Sequence, residues 1–248
     1  MQSNTTASNN TALGYASLTL NTTGTSNVAV GHDALNVSTT ADNNTAVGKN
    51  ALNANTTGDR NTAVGNDALL VCTTGAANVA VGDRALDANT GGNQNTAVGN
   101  NSLDANTSGG ANAALGFGAL GSNTIGTQNV AIGADTLDAN TSGGDNTAVG
   151  QAALTSNTTA SNNTAVGYEA LTTNSTGTNN QGFGTYALTL NTTGSNNTSV
   201  GYNALGANTT ASSNTAVGFR AAQGITTGTT NDLFGDNCAT NLTTGSSN

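Results

Sequence analysis

The sequence predicts an all-β chain wound as a parallel β-solenoid (β-roll), and three observations lead there. Glycine falls at position 14 and at every seventeenth residue up to 235 without a slip, so the chain is fourteen copies of one short unit. An apolar residue precedes every one of these glycines, and Leu follows four residues after twelve of them. Seventeen residues are too few for a helix-turn-helix repeat, which needs about 33 or more. Fully extended they span about 56 Å, enough for one narrow circuit of short strands and turns. Such a unit cannot bury its apolar side alone and is stable only when stacked on its neighbours.

The fullest copy runs Asn44-Thr45-Ala46-Val47-Gly48, two free positions, Ala51-Leu52, two more, then Asn55-Thr56-Thr57-Gly58. Its first segment reads as a short strand, whose alternation puts Thr45 and Val47 on one face and Ala46 on the other. The residue before Gly is Val in nine copies and otherwise Leu13, Leu115, Ile132, Phe183 or Phe234. That constant apolarity assigns the Val and Thr columns to the interior. The Ala column, kept in eleven copies, then points outward. A small apolar column on the outside suits close approach by another chain, which makes Ala46, Ala63, Ala97 and Ala148 candidate chain–chain contacts. The plainer alternative is a flat face that tolerates Ala.

The glycine before the free positions marks a corner needing positive φ or tight backbone approach, and the Gly or Ala after each Thr pair a second one. The Leu column should line the core. In the last two units Leu becomes Ala222 and Ala239 while the Asn three residues on becomes Ile225 and Leu242, so volume lost at one place returns at the other. Both positions therefore share one core layer. The Asn column is then at least partly inward, where stacked carboxamides can bond rung to rung, and the invariant Asn four before Gly forms a second ladder. Coils start at Asn10 and every seventeen residues after it. Residues 1–248 read as a single repeat solenoid with no capping domain, in phase beyond both ends and expected to belong to something longer.

Composition excludes several functions. Charged residues are 7% and aromatics 3%, with no Trp, so solubility must come from Asn, Thr and Ser. The same bias could mean low-complexity disorder, but a disordered tract has no reason to keep so strict a register. The net charge of -9 is scattered, and four Lys and Arg cannot make the clustered cations that nucleic acid requires. No apolar run approaches membrane-spanning length, and Met1 to Asn4 lacks the start of a secretory signal, so neither membrane insertion nor an export address is expected.

Catalysis lacks raw material. His32 is the only histidine and Glu169 the only glutamate, both at free positions after glycine, where solvated turn residues are the plain reading. Asp87, Asp104 and Asp138 share one column as in calcium-binding β-rolls, without the required Gly-Gly-x-Gly-x-Asp repeat. No glycine cluster is followed by Lys-Ser or Lys-Thr, as a phosphate loop would be. Cys72 and Cys238 lie ten units apart, roughly 48 Å at strand spacing, and read as independent thiols. No catalytic, cofactor-binding or metal-binding residue is expected, and no enzyme activity.

One surface feature stands out. Tyr168, Tyr186, Tyr202 and Phe219 lie in the same turn of four successive units and should form a vertical stripe. It reads either as a glycan or receptor contact, or as an aromatic ladder packing on itself or on a sister chain.

The run Asn-Thr-Ala-Val-Gly, Ala-Leu, Asn-Thr-Thr-Gly resembles the repeats of phage tail-fibre-like and bacterial surface-fibre proteins, which often end in an endosialidase-type chaperone domain. The Ala-Val-Gly core is also similar to the head repeats of trimeric autotransporter adhesins, whose period is shorter. The resemblance implies a homotrimeric fibre on an extracellular surface or a virion that carries a host-binding surface. An end-to-end filament is the other assembly considered. Residues 1–248 depart from that pattern in that no chaperone domain, membrane anchor or distinct tip is expected within them. An ice-binding solenoid is the rival function, because Thr occupies thirteen of fourteen positions eight after Gly. Against it, adjacent Thr residues on a strand face opposite sides.

Overall fold

The structure, a computed structural model, describes residues 3–248, so Met1 and Gln2 of the N-terminal reading lie outside it. It divides into two compact units, Met1–Ile125 and Gly126–Asn248. Each is a parallel β-solenoid with one three-residue strand per coil, and there is no helix among the described residues. The first unit carries β1 (Thr11–Leu13) to β7 (Ala113–Leu115), the second β8 (Val130–Ile132) to β14 (Asp232–Phe234). Within each unit every strand pairs in parallel with its chain neighbours. The register equals the sequence period: Thr45 pairs with Thr62, Ala46 with Ala63 and Val47 with Val64.

Each coil is tied to both neighbours by its backbone. The Gly48 N–H donates to the preceding coil at Val30 C=O (2.8 Å), while those of Thr45 and Leu52 donate to the following coil at Asn61 C=O (2.9 Å) and Ala68 C=O (3.0 Å). Gly48 has φ 135°, and a Cβ there would run into the Gly65 carbonyl. Only glycine fits this corner. Three other residues of the same coil are left-handed: Asn50 (φ 56°), Leu52 (φ 50°) and Arg60 (φ 59°). Leu in that conformation costs roughly 1–2 kcal/mol. The Leu column adopts it in coil after coil because this backbone delivers its side chain to full burial, which returns about 1.5–3 kcal/mol for each Leu.

The core is built around Leu, but the strand faces are the reverse of the sequence expectation. Ala46, Ala63, Ala97 and Ala148 are completely buried inside their own coils, and the flanking Thr and Val face out. The interior is too narrow for more than a methyl opposite Leu. A Cβ built on Gly182, which takes the Ala place in β11 (Gln181–Phe183), would meet Leu171 Cδ1 at 3.4 Å. Ser199, the other small substitute, is buried and donates its hydroxyl to Ala204 C=O at 2.7 Å. The four alanines therefore cannot serve as chain–chain contacts, and the apolar column that can meet another chain is Val.

Both Asn columns are interior. In one coil the Asn44 and Asn55 carboxamides donate to the same acceptor, Gly58 C=O, each at 2.9 Å. The Asn61 N–H donates to Asn44 Oδ1 at 2.8 Å, linking that coil to the next. Buried amides are stable here because their copies satisfy them. The compensating exchange is also present: Ala222 and Ile225 are both fully buried.

Candidate functional site

In the second unit the four predicted aromatics make one continuous stripe. Tyr168 and Tyr186 have ring centroids 5.5 Å apart at 82°, and Tyr186 and Tyr202 are 5.9 Å apart at 84°. Tyr202 and Phe219 stack at 5.4 Å and 15°. Coil position explains the alternation. Tyr202 and Phe219 directly follow their glycines, so equivalent rings lie face to face, whereas Tyr186 sits one residue later, at a left-handed φ of 60°, and meets both neighbours edge-on. Both geometries suit the ring quadrupole. The Arg220 guanidinium covers the Phe219 ring at 5.1 Å, a cation–π contact. A hydrogen bond to the Glu169 carboxylate raises the Tyr168 pKa above the usual phenol value.

Beside this stripe lies a cleft of about 400 Å³, lined by Tyr186, Tyr202, Leu190, Asn203, Gly206 and Gln223 among others. Gly206 creates the notch. The neighbouring coils carry Thr189 and Gln223 at its place, where Gly206 itself contributes no side chain. The Asn203 carboxamide lies over Gly206 where a Cβ would stand. Leu190 is exposed at the rim. Sequence reasoning found the rings and missed the cleft; Gly206 between Thr189 and Gln223 was the available signal.

The first unit has a smaller relative of the stripe, also missed. Tyr15 and His32, both directly after their glycines, stack at 5.0 Å and 26°, and His32 Nδ1 lies 2.9 Å from Asp33 Oδ2. The shared coil position was legible there too.

The Asp column lies beside a cation. Among the described residues there is no cluster of His, Cys, Asp and Glu that could hold an ion. Arg84 occupies this column's surroundings instead, with Nε 3.2 Å from Asp87 and Nη2 3.8 Å from Asp104. Burial raises the Asp104 pKa, and the Arg84 charge opposes that shift. Cys72 and Cys238 are free thiols. Cys72 is buried, and desolvation pushes its pKa up to about 11 against the lowering effect of bonds with Gly75 and Asn89, so it is a poor nucleophile. No helix is long and apolar enough to cross a membrane among the described residues.

The outer strand faces are the second candidate surface. Val47, Val64, Val81 and Val98 stand in successive coils of the first unit, half-buried, with the Thr column beside them. Leu115, Ile132, Phe183 and Val200 continue the same position in their own units and are exposed. The Thr column eight after Gly is different: Thr56 donates its hydroxyl to Thr73 C=O (2.9 Å) and Thr90 to Thr107 C=O (3.1 Å), so these hydroxyls brace the coil.

The chain matches no protein-family model, no curated protein and no solved structure.

Proposed function

We propose that this chain is a non-catalytic structural fibre or adhesin module, similar to tail-fibre shafts and adhesin heads. It works as a homo-oligomer, most simply a trimer, that presents a repeated surface for attachment at an extracellular or virion surface. The observation that carries this reading is the outward Val column with its exposed Leu, Ile and Phe substitutes. A monomeric protein rarely leaves a contiguous apolar patch of more than a few hundred Å² uncovered, and chain–chain association buries such a patch repeatedly along the coils. The parallel solenoid suits the task because each coil adds one identical increment of surface. Attachment itself is assigned to exposed side chains such as the aromatic stripe, with a cell-surface glycan or receptor as partner.

The test is mass in solution by sedimentation. Wild type should be multichain, and Val47→Lys with Val64→Lys and Val81→Lys should release monomers whose circular dichroism is unchanged, because like charges would meet across a tight contact. A monomeric wild type would sink the assembly reading.

A second reading, ice binding, draws on the same face: Thr45 and Val47 point the same way two residues apart, repeated at strand spacing. The column eight after Gly does not support it, since those hydroxyls are spent on carbonyls. Thermal hysteresis with faceted ice from a monomeric wild type would favour this alternative.

A further inference from the structure

We infer that the cleft beside Tyr186 and Tyr202 is a binding site for a neutral glycan, which rests on the attachment reading above and gives it a ligand class. The volume of about 400 Å³ falls within the range of roughly 300–1,000 Å³ usual for small-molecule sites. Its wall is amphipathic in the way a pyranose ring is. The Tyr186 and Tyr202 rings and the exposed Leu190 side chain offer apolar area, on which the C–H face of a sugar can lie against the electron-rich ring face. Thr189, Asn203 and Gln223 offer a hydroxyl and two carboxamides, each both donor and acceptor, to the equatorial hydroxyls.

Charge narrows the class. None of the lining residues is ionisable near neutral pH, and the nearby Arg220 guanidinium is laid on the Phe219 ring, so an acidic sugar finds no counter-ion among the cleft's own side chains. A peptide is disfavoured for a different reason. One common grip on an extended peptide, addition to an open sheet edge, is closed here. The strand of the Gly206 coil, β12 (Thr198–Val200), is already paired on both sides, with β11 and β13 (Thr215–Val217). The aromatic stripe continues beyond the cleft to Tyr168, so a longer glycan has a further ring to lie on, whereas the Phe219 ring is engaged by Tyr202 and Arg220.

The experiment is saturation-transfer NMR and calorimetry on the full chain with maltotriose, lactose and triacetylchitotriose, and with 3′-sialyllactose as the acidic comparison. At least one neutral sugar should bind in the micromolar to millimolar range, more tightly than sialyllactose. Tyr202→Ala should weaken it at least about tenfold. Gly206→Asp should do the same by filling the notch with a charge, and it keeps the fold readable because Asp87, Asp104 and Asp138 stand at that coil position naturally. Absence of neutral-sugar binding, preference for sialyllactose, or unchanged affinity in folded variants of both kinds would each overturn the inference. A wild type that assembles and adheres to cells while binding none of these sugars leaves the attachment reading standing and removes only the glycan. A wild type that neither assembles nor adheres removes the attachment reading.

Discussion

The Asn106 carboxamide donates a hydrogen bond to Asn89 Oδ1, one coil earlier, at 2.9 Å. In the second unit the same link runs from Asn157 to Asn140 and on through Asn174 and Asn191 to Asn208. The ladder shows its worth where it stops. Asn21 Oδ1 is buried without a partner because the next coil offers Ser38, too short to reach, and Asn208 Oδ1 is orphaned because the next coil offers Ile225.

Removing a rung should be costly. Asn174 donates to Asn157 Oδ1 and Gly177 C=O and accepts from Asn191, all inside the coil. Asn174→Ala should lose about 2–4 kcal/mol, since buried partners are left unsatisfied. Asn100→Ala, at an exposed free position, should stay within about 0.5 kcal/mol of wild type. Urea denaturation of the two variants makes the comparison.

Repairing a rung should help. Ser38→Asn places a donor within reach of Asn21 Oδ1 and removes the orphaned Ser38 hydroxyl. The expected gain is about 1 kcal/mol, read as a rise in melting temperature of about 2–4 °C in a chain of this size. A fall would mean that the coil at Ser38 has no room for the larger amide.

The strand faces can be checked by size. Ala97→Val should cost about 1–3 kcal/mol by overpacking against the Leu column, whereas Val98→Thr, on the outer face, should cost under about 1 kcal/mol in an isolated chain. The opposite order in denaturation would return Val to the interior.

Cys72 makes stability fall in alkali. Burial raises its pKa from 9.0 to about 11, so the folded chain holds the thiol proton more tightly than the unfolded one. The stability from this neutral thiol is complete below about pH 9 and is lost as pH rises through 9 towards 11. Cys72→Ser, which places in this column the residue found at Ser38, should lose less stability across that window. Equal pH profiles would contradict the shift. Iodoacetamide at pH 8 should label partly exposed Cys238 well before Cys72.

The sequence by itself determined the coil, its parallel register and much of its lining. A seventeen-residue period can bond to its own copies only in register, which is why Thr45 meets Thr62, and the Leu-to-Ala exchange at Ala222 with Ile225 placed two columns in one layer. The contact order of Tyr168, Tyr186, Tyr202 and Phe219 followed from the same period. Alternation also separated Ala46 from its neighbours Thr45 and Val47, but it is symmetric and cannot say which face is inside. Tertiary packing decided that, because the space opposite Leu accepts a methyl and little more. The sequence held a usable trace of this: the Ala place admits Gly182 and Ser199 and in only one coil a large residue, Leu233, whereas the Val place admits residues as large as Phe183. The left-handed backbone of Leu52 left no such trace, since Leu avoids it locally and adopts it only where burial compensates. The cleft at Gly206 likewise depended on neighbours in adjacent coils, because a missing side chain becomes a cavity only when the residues stacked around it keep theirs.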